Sequence, residues 1–148
     1  RCLGRITMAY LLDTCVISEL VHRRPNAAVV DWLGETDERQ LFLSAITIGE
    51  IQRGIARLPE GTRRQELGAW LSEDLLNRFR GRLLAIDTAV MLTWGTLVAE
   101  LEAAGRTLPA MDSLIAALAR HHHLHLVTRN EKDFEGAGLT IVNPWGKQ

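Results

Sequence analysis

The chain has 148 residues, of which 47% are hydrophobic and 24% charged, a composition typical of one globular domain and not of a disordered chain or a coiled coil. Seventeen basic and eighteen acidic side chains give a net charge of −1, so the molecule as a whole does not attract polyanions. A nucleic-acid partner would have to be held by a local basic patch or by metal ions. No apolar run approaches the roughly 20 residues of a membrane-spanning helix.

The amino-terminal segment and the two cysteines indicate the cellular compartment and the start of the domain. Two cysteines, Cys2 and Cys15, do not form the framework of a disulfide-rich secreted protein. Residues 1–7 lack the apolar stretch of a signal peptide, and Met8 followed by apolar residues resembles a natural start. We therefore predict that residues 1–7 are an upstream or vector-derived extension, that residues 8–148 form a single domain, and that the protein is cytoplasmic.

Short apolar runs alternate with longer helical patterns along the chain. Continuous apolar runs are typical of strands buried on both faces of a parallel sheet, and such runs occupy residues 9–12, 41–43, 83–86, 124–127 and 139–142. Apolar spacings of three and four predict helices between them, over residues 17–21, 27–33, 47–58, 63–79 and 88–104, with a last long helix that opens at Pro109. This alternation predicts an α/β sandwich around a mostly parallel sheet.

Three carboxylates follow predicted strands or begin predicted helices. Asp13 ends the first strand, Glu50 is expected in the first turn of the helix over 47–58, and Asp112 lies early in the helix that opens at Pro109. In open α/β sheets the functional crevice lies beyond the carboxyl ends of the strands. The fold is therefore expected to bring these distant side chains together.

Each of these acids also has a purely structural interpretation. Asp13 suits the N-cap of the next helix, Thr47 and Glu50 fit a capping box, and Asp112 complements a helix dipole. Three converging carboxylates without cations would repel one another, however. Their predicted convergence therefore favours a bound hard divalent cation. Mg²⁺ takes oxygen ligands and leaves positions open for a phosphate oxygen.

Four segments that contain these acids or follow a predicted strand occur in order along the chain. They are Leu-Leu-Asp-Thr-Cys-Val-Ile-Ser-Glu at 11–19, Ser-Ala-Ile-Thr-Ile-Gly-Glu-Ile at 44–51, Pro-Ala-Met-Asp-Ser-Leu-Ile-Ala at 109–116, and Thr-Arg-Asn with Asp-Phe at 128–134, followed by Asn-Pro-Trp at 143–145. Together they resemble the motifs of PIN domains, the nuclease domains of VapC-type toxins, and are most similar to the FitB-like branch. The resemblance implies a three-layer α/β/α sandwich and a metal-dependent endoribonuclease. It further implies Mg²⁺ or Mn²⁺ as cofactor, an RNA substrate, a small cognate antitoxin, and a homodimer that joins a larger assembly with it.

The resemblance also assigns site residues. Asp13, Glu50 and Asp112 match the first three acids of the family as catalytic and metal-binding residues. The fourth family acid often stands where this chain has Asn130, which offers a carbonyl oxygen but no charge, and Asp133 lies one helical turn later. We include both in the predicted metal site and leave open which of them takes the fourth position.

Two other classes of function remain open at this point. A non-catalytic PIN-like or response-regulator-like binding module would also gather acids at strand ends, although a phospho-acceptor regulator normally has an acidic pair where Asp13 stands alone. A metal-dependent DNA flap or exonuclease would need more chain to clamp DNA. An excess of arginine between Arg53 and Arg82 suits an RNA-facing patch or a solvated surface, and the helices in this stretch suit a groove for an antitoxin.

Overall fold

The computed structural model describes residues 8–146, so the predicted extension over residues 1–7 lies outside the described part. Five strands lie within these residues: β1 Tyr10–Leu12, β2 Leu41–Ser44, β3 Leu83–Leu84, β4 His125–Val127 and β5 Ile141–Val142. They form one parallel sheet in the order β3-β2-β1-β4-β5. Every described strand pairing is parallel, which confirms the predicted sheet.

Helices cover both faces of this sheet. The alternation of side chains along a strand sends Leu11 of β1 to one face and Leu12 to the other, and each is fully buried in a separate apolar cluster. One cluster contains residues of α6 Thr88–Ala103 and α7 Ala110–His121. The other packs against the helices α1 Thr14–Leu20, α2 Ala27–Glu35, α3 Ala45–Ala56 and α4 Thr62–Ala69. The three-layer α/β/α architecture is therefore confirmed.

The helix predicted over residues 63–79 is interrupted by a wider turn. The chain forms α4, then a π-helical turn at Trp70–Leu75, then the short helix α5 Leu76–Arg78. Its apolar side chains recur every four residues, and the last three of them, Leu71, Leu75 and Phe79, are buried. A repeat of four slides around a helix of 3.6 residues per turn, and a wider π turn corrects this drift, because its hydrogen bonds span five residues.

The start of α3 differs from the prediction in a way that matters for the site. Ser44, the last residue of β2, is the N-cap, and its Oγ accepts a hydrogen bond of 3.0 Å from the backbone N–H of Thr47. The helix therefore begins at Ala45 and not at Thr47. The proposed capping box of Thr47 and Glu50 is wrong, and Glu50 lies in the second turn of the helix and not in the first.

No helix within residues 8–146 has both the length and the apolar character needed to cross a bilayer.

Candidate active site

The topology creates a crevice at the carboxyl end of β1. The strand that follows β1 in sequence, β2, lies on one side of it, whereas the later strand β4 lies on the other. Such a reversal of strand order leaves a gap between the connections, and functional crevices of α/β sheets form there. Asp13 follows β1, and Thr128 follows β4, so both side chains lie at this gap.

Asp13 is held in place by hydrogen bonds to both carboxylate oxygens. Its Oδ1 accepts from the backbone N–H of Thr14 at 2.8 Å, so it caps α1. Its Oδ2 accepts from the hydroxyl of Thr128 at 2.8 Å. Burial raises the pKa of Asp13, the two hydrogen bonds oppose this rise, and the charges of Glu50 and Asp133 add to it. The N-cap interpretation of Asp13 is thus confirmed. Its carboxylate also belongs to the crevice, because the charges of Glu50 and Asp133 act on its pKa.

Glu50 reaches the crevice from α3. It is exposed, and its Oε1 accepts a hydrogen bond of 2.5 Å from the hydroxyl of Thr14, the first residue of α1. This contact joins two helices that follow different strands. It is an interaction between segments 36 residues apart, whereas a capping residue would bond within its own first turn.

Asp112 enters from the opposite helical layer. It is the third residue of α7, and its pKa is raised to about 6, first by burial and then by the charges of Asp13, Glu50 and Asp133. The adjoining Ser113 fixes this turn, because its hydroxyl donates to the Ala110 carbonyl at 2.7 Å and accepts from the indole N–H of Trp94 at 2.9 Å. The carboxylates of Asp13, Glu50 and Asp133 therefore lie near enough to Asp112 for their charges to add to this rise in its pKa.

Residues 128–134 contribute one acid, Asp133, and one amide, Asn130, at the edge of the crevice. Thr128 has no exposed surface, and its Oγ1 accepts from the backbone N–H of Asn130 at 3.1 Å. Asp133 lies in the 3₁₀ turn Glu131–Phe134, which is anchored by the buried ring of Phe134, and its charge raises the pKa of both Asp13 and Asp112. The structure therefore brings Asp133 together with the other acids. A role for the exposed Asn130 side chain stays a prediction.

The donor set of the crevice fits a hard divalent cation. The four acids offer only oxygen ligands, and within residues 8–146 none of them forms an ion pair with a basic side chain. In the same part of the chain no three His, Cys, Asp or Glu side chains lie close enough to enclose one ion. The carboxylates would have to turn inward to share a ligand, and their mutual repulsion would fall when they did so around a cation.

Several buried polar residues were not predicted as parts of the site. Ser44 and Thr47 are fully buried, and both belong to the hydrogen-bonded turn behind Glu50. Glu19 is also buried, accepts from the backbone N–H of Asn26 at 3.0 Å, and lies 3.5 Å from the guanidinium of Arg129. A serine three residues before a threonine, directly after an apolar run, was an available N-cap signal for the first pair.

Comparison with known proteins identifies the family of this chain. A family model described as "PIN domain" matches residues 10–138. The chain is 41% identical over 135 residues to the "Plasmid stability protein StbB" of Pseudomonas syringae pv. tomato, which covers 91% of this chain and 97% of that protein. It is 38% identical over 135 residues to the "VapC ribonuclease Y4jK" of Sinorhizobium fredii, which covers 91% of this chain and 96% of that protein.

A solved structure gives the same result at the level of the fold. The crystal structure of FitAcB from Neisseria gonorrhoeae superimposes with a TM-score of 0.89 at 36% identity, covering 93% of this chain and 99% of that one. The match spans the sheet and the helices on both faces, so the similarity is one of whole domains. The family model, the two relatives and this structure all agree, and the chain belongs to the PIN-domain family.

Proposed function

We propose that this PIN domain is a divalent-metal-dependent endoribonuclease and the toxin of a toxin–antitoxin pair. One observation carries the proposal: Asp13, Glu50, Asp112 and Asp133, from four separate segments, meet in a single crevice, where burial and then the charges of the other three acids raise the pKa of Asp112 to about 6. Strongly perturbed carboxylates in a crevice are typical of functional sites. The relative named as a VapC ribonuclease supports RNA as the substrate class.

The proposed cofactor is Mg²⁺ or Mn²⁺. Asp13 and Asp112 would hold it, with Asp133 or Asn130 as the candidate for a further ligand. A bound ion of this kind shields the phosphate charge and lowers the pKa of a coordinated water.

The protein groups have separable roles in this proposal. Thr128 keeps Asp13 oriented through the hydrogen bond to Oδ2, and Thr14 occupies Oε1 of Glu50. The other oxygen of Glu50, Oε2, remains available to accept a hydrogen bond from an attacking water, which is the position that a proton acceptor needs. The proposal therefore makes Asp13 and Asp112 the anchoring acids and Glu50 the residue that orients water.

Cleavage of end-labelled single-stranded RNA by purified, antitoxin-free protein tests the proposal. Asp13→Asn and Asp112→Asn should each abolish cleavage, whereas Asp31→Asn, on an exposed carboxylate of α2, should leave it unchanged. DNA of the same sequence serves as the second substrate. Full activity of both crevice variants would reject the acid centre, and cleavage of DNA alone would favour the exonuclease alternative.

An apolar groove beside Glu50 suits the antitoxin. A cavity of about 230 Å³ opens between α1, α3 and α4, and its walls include Glu50 and Thr14 together with apolar side chains. The apolar residues are Val21, Ile51, Ile55, Leu58, Leu67 and Trp70. A partner segment seated there would lie against Glu50 and cover the crevice. We propose that an apolar segment of the cognate antitoxin does so.

Co-purification with the product of a small neighbouring open reading frame tests this partner. Leu67→Lys, in the groove, should abolish complex formation and leave RNA cleavage intact, while Leu92→Lys, on the exposed surface of α6, should bind normally. Equal binding by both variants would place the antitoxin elsewhere. The homodimer and the cytoplasmic location stay predictions.

A further inference from the structure

A chain of hydroxyl groups runs from the protein interior to Glu50. Ser44 Oγ donates to Thr47 Oγ1 at 3.2 Å, Thr47 Oγ1 lies 3.0 Å from Thr14 Oγ1, and Thr14 donates to Glu50 Oε1 at 2.5 Å. Ser44 and Thr47 have no exposed surface. Neither side chain can touch RNA, so any part they take in catalysis has to pass through Glu50.

The chain of hydroxyls has one direction. The backbone N–H of Thr47 donates to Ser44 Oγ at 3.0 Å, so the Ser44 proton points onward to Thr47. A hydroxyl carries a single proton, and an ionised carboxylate only accepts. Because Thr14 gives its proton to Glu50, the proton between Thr47 and Thr14 belongs to Thr47. Hydrogen bonds aligned in this way polarise and strengthen one another in a low-dielectric interior.

Arg53 offers the Glu50 carboxylate a second partner. Arg53 lies three residues further along α3, and both side chains line a second cavity of about 430 Å³ on the other side of Glu50. Residues three apart on a helix are neighbours, and opposite charges at this spacing attract. Arg53 therefore competes with Thr14 for the exposed Glu50 carboxylate.

We propose that Ser44 and Thr47 are positioning residues that hold the Glu50 carboxylate in the crevice through Thr14 and against the pull of Arg53. The catalytic consequence rests on the proposed nuclease function, whereas the orientation of Glu50 does not. The N-cap role of Ser44 explains only the backbone contact to Thr47, and leaves the fully buried hydroxyl of Thr47 bonded to a side chain of another helix.

A double-mutant cycle on RNA cleavage separates positioning from simple packing. Thr47→Val keeps the shape and removes the hydroxyl that donates to Thr14, and should lower kcat by about fivefold, the size expected for losing a hydrogen bond between two neutral groups, with KM unchanged. Thr47→Ser should restore kcat. In a Glu50→Ala background Thr47→Val should cause no further loss, because no carboxylate remains to be positioned. The matched control is Thr93→Val, whose hydroxyl lies 3.3 Å from His121 Nδ1 in the other helical layer.

A second measurement does not depend on activity. The ¹³C chemical shift of the Glu50 side-chain carboxyl, measured in metal-free protein, should move in Thr47→Val and stay in place in Thr93→Val. Thr14→Val, at a half-buried position, replaces Thr47→Val if that variant does not fold. Additive losses in the cycle, or an unmoved Glu50 signal, would overturn the proposal. Wild-type protein that leaves RNA intact would refute the proposed function, while the Glu50 signal would still decide the positioning.

Discussion

Replacing Asp112 by asparagine is predicted to make the metal-free protein more stable at neutral pH. The pKa of Asp112 in the folded protein is about 6, against an ordinary value of 3.8, because burial and three neighbouring acids disfavour its charge. The folded state therefore holds the proton more tightly than the unfolded chain does. The stability that this bound proton contributes is fully present below about pH 3.8 and is lost as the pH rises to about 6.

The size of this gain follows from competing terms. A shift from 3.8 to about 6 corresponds to about 3 kcal/mol in a fully buried group. Asp112 is half-buried, and solvent screening reduces the figure to about 1 kcal/mol. Loss of its favourable position in the first turn of α7 subtracts about 0.5 kcal/mol. The remaining gain of about 0.5 kcal/mol corresponds to a Tm increase of roughly 1–2 °C in a domain of this size.

Thermal unfolding followed by circular dichroism, in EDTA, measures this gain. Asp112→Asn should have a higher Tm than the wild type near pH 7.5, and the difference should shrink near pH 4, where the wild-type carboxyl is already protonated in the folded state. Excess Mg²⁺ should reverse the order, because a cation that binds only the charged folded site stabilises the wild type. Asp31→Asn controls for the loss of an exposed charge. A lower Tm for Asp112→Asn in EDTA, or a gain that persists near pH 4, would refute the electrostatic reasoning.

Four further substitutions test individual residues of the crevice. Glu50→Gln should change the free energy of unfolding by less than about 1 kcal/mol, since its amide oxygen still accepts from Thr14, and should lower kcat by about tenfold or more; unchanged turnover would return Glu50 to a structural role. Thr128→Val removes the buried donor to Asp13 and should cost about 1–3 kcal/mol in chemical denaturation, with a smaller loss near pH 4; equal losses at both pH values would contradict the charge dependence. Calorimetric titration of Mn²⁺ should show weaker binding to Asp133→Ala and tighter binding to Asn130→Asp, and identical affinities would leave a three-acid centre.

The approach of Asp13, Glu50 and Asp112 to one crevice was predictable because each lies directly after an apolar run or within the first two turns of a helix, and parallel strands place their carboxyl ends at one edge. The apolar runs also contained the information for a sheet buried on both faces. These features depend on local pattern and on a general rule of topology.

The local structure that surrounds the acids was not predictable in the same way. Thr47 fits two capping patterns. In one, Ser44 is the N-cap and bonds the backbone of Thr47, and in the other Thr47 is itself the N-cap and pairs with Glu50. Only the end of β2 at Ser44 decides between them. The π-helical turn at Trp70–Leu75 depends on burying side chains four residues apart against a particular core. The proximity of Asp133 to the other acids depends on a short turn that is anchored by Phe134. No apolar periodicity in the sequence predicts the course of the chain through this turn.

Restoration of RNA cleavage by metal is the decisive measurement for a metal-dependent nuclease centre. Antitoxin-free wild-type protein is treated with EDTA, assayed on end-labelled single-stranded RNA, and then supplied with Mg²⁺ or Mn²⁺, with Asp112→Asn assayed in parallel. We expect no cleavage in EDTA, recovery of the wild type on addition of either ion, and no recovery of Asp112→Asn. Undiminished cleavage in EDTA, or full recovery of Asp112→Asn, would contradict a metal-dependent nuclease centre built on these acids.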